Sequence, residues 1–469
     1  MKKILVLVCV ILLCGCNSPL SIAEKDVSFS ADKLSQKVVI YNNVTFIEDS
    51  RIIAIETDSG EIIIKRIPAT IIPDSVYVEL EEGGDGFSII SQEFDSKIVS
   101  KDALLKEYLG KQVSIINFNE YQDRKEVVEA ELLSGENGGI YRINDEVYLG
   151  YPGYVILSSV PEGYISEPQL KWDYLSKSLG EKKIKLSYLS TGLSWSAAYV
   201  MKIDTSGKTM DLACWANISN NSGATFNDAD VRLVAGELNT IPQPKAAAFL
   251  RSSMAGAEAG SLPSEEVFEY HMYTIPHKVT LGDRSVKQVM LMEAGSVSVD
   301  KRYVVKIVRN YYQRYDDVYT DVPVKAVIKT ENSKDMGLGE ALPSGKVRLY
   351  ERNENGEVFF IGEDTLRDTP LDEEIELEAG NVFDVICKTR QIDFSQISKN
   401  LKELSWEIKA INHKNESVSV DVIETITGNW EIISNDHDYE KISATKIKFK
   451  LDLKAGEEKV ITYTVRVGI

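Results

Sequence analysis

Four histidines, five cysteines and 72 acidic residues are among the side chains of this 469-residue sequence able to move protons, ligate metal or form covalent bonds. Histidine is the usual proton shuttle near neutral pH, and the four are His271, His277, His413 and His437. His271 and His277 lie six apart in strand-like sequence. On one unbroken strand they would share a face about 20 Å apart, too far to share a metal, and Pro276 interrupts the strand. His413 and His437 fall in polar, turn-like stretches. Gly192-Leu193-Ser194-Trp195-Ser196 approaches a nucleophile elbow, but it lacks the second glycine and the strand–turn–helix setting that exposes the serine. Glycan cleavage needs two carboxylates about 5 to 10 Å apart, and among 72 the sequence singles out none. The stretches Glu81-Glu82-Gly83-Gly84-Asp85, Asp316-Asp317 to Asp321 and Asn435-Asp436-His437-Asp438 are oxygen-rich. They have the ligands of a calcium loop without its spacing, and read as solvated acidic turns. Tyr303, Tyr311, Tyr312, Tyr315 and Tyr319 crowd beside Arg309 and Arg314. Exposed together they would form a sugar- or protein-binding strip; packed on strands they would be ordinary core. No zinc-protease, phosphate-loop, dinucleotide or paired-cysteine motif is present. The expectation is no catalytic, metal or cofactor-binding residue, and no cofactor.

The cysteines divide by position. Lys2 and Lys3 precede an almost wholly apolar run from Ile4 to Leu13, then Leu13-Cys14-Gly15-Cys16 and polar Asn17-Ser18. Charge, short apolar core and small-residue cleavage site make the layout of a secretion signal. The Leu-x-Gly-Cys ending resembles the lipobox of bacterial lipoproteins, in which cleavage precedes the cysteine and its thiol takes a diacylglycerol. The resemblance implies a leader at 1–15 and lipidation of Cys16. Several acyl chains hold a membrane far better than one, each buried CH2 adding about 0.8 kcal/mol. Asn17 at the next position leans, by the same resemblance, to the outer membrane in a cell with two membranes. The expected localisation is therefore the cell envelope, anchored by lipid, with the body facing the periplasm or the exterior. Cys214 and Cys387 sit in apolar strand-like runs; a disulfide between them and two separate buried thiols both remain open.

The chain carries 53 basic and 72 acidic residues, a net charge of −19, which argues against nucleic acid as a partner and against a polybasic membrane patch. The elements that would position any site alternate with period two. Examples are Lys183 to Tyr188, Ile447 to Leu453, Ile461 to Val467, Val418 to Val422 and Trp406 to Ala410. Each puts one face on a core and the other in water, as antiparallel sheets do. Turn clusters such as Asp58-Ser59-Gly60 and Asn353 to Gly356 separate them. The fold class is all-β: several antiparallel sandwich or barrel modules, with very few short helices. The best helix runs from Lys101 to Leu109, with Ser100 as cap and Gly110 as stop. It leads into about five short strands, which suits a small, strongly bent barrel. The expected organisation is a leader at 1–15, a β region at 16–99, the barrel-like module at 100–165, a β domain at 170–345 and an Ig-like sandwich at 346–469. An exposed loop at 240–264, rich in Ala, Gly, Ser and Pro, interrupts the β domain.

From about residue 170 the motifs resemble a known bacterial domain. Leu189-Ser190-Thr191-Gly192-Leu193-Ser194-Trp195-Ser196-Ala197-Ala198-Tyr199 is followed by Ala216 to Gly223 and by Asp228 to Gly236. Later come Leu342-Pro343-Ser344-Gly345 to Tyr350, Ile361 to Asp364, and Ala455-Gly456-Glu457 to Val465. Together they resemble the domain of unknown function 4139 found at the C-terminus of mucoidy inhibitor A-like proteins. Those proteins carry a long helical segment ahead of the domain, where this sequence has no sustained heptads. The resemblance implies a β fold and brings no catalytic residue with it. The expected function is that of a non-catalytic interaction or structural module of the envelope, with envelope proteins or glycans as partners besides the membrane. The alternatives are an envelope glycan hydrolase using paired carboxylates, and a carbohydrate-binding protein.

Overall fold

Period-two alternation becomes alternating burial. Strand Gly180–Ser190 buries every second residue from Lys182 on, and Glu458–Gly468 does the same from Ile461. The computed structural model describes residues 27–29, 33–82, 86–119, 124–136, 138–236, 264–267 and 270–468. The expected leader, Cys16, Gly83 to Asp85 and all but the last residue of the expected loop at 240–264 lie outside the described residues. Among those described, one α-helix, Lys101–Glu107, and two 3-10 turns accompany an otherwise all-strand structure. No helix among them is long and apolar enough to cross a membrane.

Two compact units divide the chain. The first comprises residues 1–33, 51–67 and 79–185. One of its sheets sets strands Val27–Phe29, Ser59–Ile64, Gln169–Ser176 and Phe87–Asp95 side by side. There Trp172 is fully buried with its indole N–H on Gln92 Oε1 at 2.9 Å. The other sheet has the order Glu146–Leu149, Ile140–Ile143, Arg124–Ser134, Gln112–Asn119, Tyr154–Ile156. Its two edge strands are consecutive in sequence, joined by only four residues, Gly150 to Gly153. In a flat sheet they would stand about 19 Å apart, four strand spacings. Instead Tyr148, Tyr151 and Val155 all pack on the one core built from Val113, Ile115, Ala130, Leu132, Tyr141 and Ile143. The sheet is therefore curled, and the helix closes one end by adding Leu105 and Tyr108 to that core. Ser100 Oγ caps the helix by accepting from Ala103 N at 3.2 Å, and Gly110, at φ +74°, ends it.

The second unit comprises residues 34–50, 68–78 and 186–469. Its five-stranded sheet has the order Ser285–Ser298, Thr209–Asn220, Leu193–Ile203, Gly345–Arg352, Val358–Leu366. Leu193–Ile203 and Gly345–Arg352 pair in parallel from Ala197 opposite Gly345, where a side chain on Gly345 would strike the Ala197 carbonyl. The C-terminal sandwich is built of two further sheets. The first runs Glu374–Asn381, Val324–Glu331, Asp300–Val308, Val418–Thr425, Lys446–Leu453, Tyr439–Ser443. The second runs Thr320–Val322, Val385–Ser398, Leu401–Asn412, Glu458–Gly468, Asn429–Asn435. Their inward side chains, Val305, Val420, Phe449, Ile408 and Val465 among them, make one apolar core. Cys214 and Cys387 are both buried and free. The disulfide left open by the sequence is therefore not formed.

Candidate functional site

Chemistry-bearing side chains gather at three places in the second unit. The most buried lies inside the C-terminal sandwich. Val420 and Val422 point inward, and Glu424, next in the same phase, is wholly buried. Burying a lone carboxylate costs several kcal/mol, and here it is compensated. Arg309, just past strand Asp300–Val308, is also buried and binds Glu424 Oε1 through Nη2, with Nη1 on Thr389 Oγ1 at 3.1 Å. Its guanidinium lies 3.7 Å from the Trp406 ring centroid, a geometry that favours a desolvated cation. Tyr311 donates to Glu424 Oε2 at 2.8 Å, and its hydroxyl meets that of Tyr463 at 3.3 Å. Burial, then Glu424, pushes both phenols well above their usual range. Burial pulls Arg309 down, and Glu424, together with Tyr463 and Tyr311, more than offsets that. All these groups hold one another, and none is presented to solvent as an acid or nucleophile.

The second gathering is where the sequence motifs meet. Trp195, Ser196, Ala197, Ala235, Gly236, Pro343 and Ser344, with Asn42, line a hollow of ≈ 130 Å³. That is small beside ligand pockets of about 300–1,000 Å³. Trp195 gives its N–H to Val234 O at 3.1 Å and meets Tyr273 edge-on. Tyr199 donates to Pro343 O at 2.6 Å, and Tyr273 to Ala341 O at 3.1 Å. Burial raises both phenols, and it pushes the Cys214 thiol up to about 12. The thiol is thus kept protonated, the opposite of an activated nucleophile. The motif residues tie strands to the loop at 341–344, a structural task.

The third is an open groove of ≈ 550 Å³ lined by Asp364, Glu373, Glu374, Glu376 and Glu378 with Lys306, Thr365 and Arg367. Hydrogen bonds from Lys306 and Lys325 draw Glu378 below the usual carboxylate range. Lys329 holds Glu376 at 2.6 Å and Glu374 at 3.1 Å, and Asp364 accepts from Glu378 N at 2.7 Å. Every described carboxylate that titrates away from its ordinary range goes down: Asp95, Asp204, Glu363, Glu378 and Glu407. A glycosidase's general acid requires the reverse.

The residues singled out by sequence scatter. His271 pairs opposite Ala235 on strand Tyr270–Thr274, while His277 follows Pro276 outside any strand. His413 N–H donates to Asp384 O at 2.7 Å, and His437 Nε2 sits 2.9 Å from Lys450 O. Ser194 and Ser196 lie within strand Leu193–Ile203, not on a turn. The tyrosine strip does not form, because Tyr303 and Tyr311 are core and Tyr312 and Tyr319 hydrogen-bond inside the unit, to Gly468 O and Glu407. In the acidic stretches Asp317 pairs with Arg390, Asp321 with Lys388, and Asp436 holds Thr462 N at 2.7 Å. No group of three or more metal-ligating side chains occurs among the described residues.

Sequence reasoning missed three buried asparagines that staple loops to strand ends. Asn220 Nδ2 donates to the carbonyls of Ala224, Leu281 and Gly282. Asn332 Nδ2 donates to Glu340, Thr369 and Pro370, and its Oδ1 accepts from Gly339 N. Asn412 Nδ2 donates to Glu416 and Lys454. The signal was available for Asn220 and Asn412, each the last core-phase position of an alternating strand. Replacing Asn332 by Ala removes its bonds to three carbonyls and one N–H, of which Thr369 O keeps a second donor, Leu342 N. At about 1 kcal/mol net per bond, it is expected to cost ~2–4 kcal/mol in urea unfolding. Asn332→Asp is expected to do no better, since a carboxylate has no N–H to give.

Fold and site together define an all-β protein of stacked sheets whose polar clusters are internal braces. The model of the domain of unknown function DUF4139 matches residues 184–468, and the chain belongs to that family. No curated protein matches it.

Proposed function

We propose that this chain is a lipid-anchored protein of the cell envelope that works by contact, through the surfaces of its β modules, rather than by turning over a substrate. The observation that carries the reading is the direction of the shifted carboxylates, all held down by cations, hydroxyls and N–H donors and so unsuited to donate a proton to a glycosidic oxygen. The anchor rests on the Leu13 to Cys16 sequence. The membrane, and envelope proteins or glycans, are the partners that follow, with the outer membrane the site in a cell that has two.

Cys16→Ser is expected to abolish incorporation of labelled palmitate and to move the protein from the membrane to the soluble fraction. Label retained on the variant would place the anchor elsewhere. The contact reading has its own test. Purified body that releases reducing ends from envelope glycan, and stops doing so when one carboxylate is replaced, would overturn it in favour of the hydrolase.

A further inference from the structure

The curled five-stranded sheet of the first unit leaves a strand edge open. The hairpin from Ile143 to Glu146 turns through Asn144 and Asp145, both at positive φ, the two-residue turn that closes on a hydrogen-bonded pair. Gly150 N–H donates to Gly139 O at 2.9 Å, in register with the pairing of Leu149 opposite Ile140. Hydrogen-bonded and non-bonded pairs alternate along an antiparallel ladder. Both ends therefore agree that Glu146 and Tyr148 turn their backbone groups toward strand Ile140–Ile143. Val147 and Leu149 turn theirs to the other side. Among the described residues no strand pairs with that side, because Glu146–Leu149 is an edge of its sheet.

The side chains beside this edge are apolar and in water. Leu149 is 84 % exposed and Val147 57 %; across the four-residue link, Tyr154 is 81 % and Ile156 45 % exposed. Four large apolar side chains exposed within ten residues, next to free N–H and C=O groups, are a liability unless something covers them. The rim is acidic. Glu136, whose carbonyl accepts from Gly139 N, stands at one end, and Asp145 and Glu146 at the other. All three are exposed and enter no ion pair among the described residues.

We propose that the edge of Glu146–Leu149 is a docking site for an extended peptide segment of another protein, in which apolar residues alternate with lysine or arginine. The peptide adds a strand by pairing with the backbone of Val147 and Leu149. Its apolar face lies on Leu149 and Tyr154, and its cations meet Glu136, Asp145 and Glu146. Main-chain bonds supply affinity and side-chain pockets the choice of sequence. This deepens the contact reading above and rests on it, while the anchor plays no part in it.

The test uses the full chain and a dye-labelled heptapeptide of alternating valine and lysine, followed by fluorescence anisotropy at low salt. Saturable binding is expected. Leu149→Pro removes an N–H that no internal bond uses, as an edge strand tolerates, and is expected to weaken binding at least tenfold with little change in melting temperature. A peptide N-methylated on alternate residues, which needs no change to the protein, is expected to lose as much. Exchange of its lysines for glutamate is expected to cost at least tenfold. Equal binding by the proline variant and the N-methylated peptide, or no binding at millimolar peptide, would overturn the proposal. So would a concentration-dependent dimer that Leu149→Pro abolishes, which would assign the edge to a second copy of the chain. Glycan hydrolysis alongside intact peptide binding would sink the contact reading and spare the docking site.

Discussion

Arg309→Met is expected to lower the stability of the C-terminal sandwich by about 3–5 kcal/mol, the usual cost of stripping one partner from a buried ion pair. The mechanism is specific. Glu424 is fully buried, and its strongest compensation is the Arg309 guanidinium. Without it the carboxylate keeps only the hydroxyl of Tyr311 at 2.8 Å among the bonds described above. Methionine fills much of the same volume over Trp406, so cavity formation is not the main term. The double variant Arg309→Met/Glu424→Leu separates charge from packing. It removes both ions, and the hydroxyls of Tyr311 and Tyr463 still have each other at 3.3 Å. Replacing whole buried ion pairs by apolar side chains is often neutral or better. The double variant is therefore expected to recover at least half of the single variant's loss. Urea unfolding followed by tryptophan fluorescence reads both. A double variant as unstable as Arg309→Met alone would mean that Arg309 acts through its stacking on Trp406 and not through its charge.

The same cluster shows what could be read in advance. Alternation made the strands legible, because a half-buried strand must place its apolar residues two apart. The helix at Lys101–Glu107 was legible from Ser100 and Gly110, whose cap and positive φ are local requirements. Local rules do not reach the parallel pairing of Leu193–Ile203 with Gly345–Arg352, nor the bond between Arg309 and Glu424, 115 residues apart. Glu424 was nevertheless marked. In Val420-Asp421-Val422-Ile423-Glu424 the glutamate takes the core phase, and a charge there implies a buried partner. The tyrosine-rich stretch misleads for the complementary reason. Composition suggests a strip, but residues 309–319 are largely not strand. Alternation therefore does not govern which rings turn inward. Tyr311 is buried whereas Tyr315 stays partly exposed against Trp406.

Raising the pH past 10 is expected to unfold the second unit within one to two pH units. Tyrosine in an unfolded chain ionises near 10 and a thiol near 8.5 to 9. In the folded unit burial raises Tyr199, Tyr273, Tyr311 and Tyr463, and pushes Cys214 and Cys387 up to about 12. The folded chain therefore keeps protons that the unfolded chain gives up. The stabilisation this represents is complete below the unfolded values and is lost progressively as pH rises from them through the folded ones. Each group costs about 1.4 kcal/mol per pH unit in that window. Four phenols together then remove about 5 kcal/mol per unit above pH 10, and the two thiols about 3 kcal/mol more per unit between pH 9 and 12. A total stability of about 5–15 kcal/mol is exhausted quickly against such a slope. Tyrosinate absorbance at 295 nm should show these phenols ionising together with loss of the circular dichroism signal, while exposed tyrosines titrate earlier. Tyr273→Phe gives up a single hydrogen bond, to Ala341 O. It should lower the number of protons released on unfolding by one and flatten the pH dependence accordingly. Smooth ionisation of all 22 tyrosines near pH 10 with the sheets intact would show that the buried phenols are reached by water without unfolding, and would undo the account of both polar clusters.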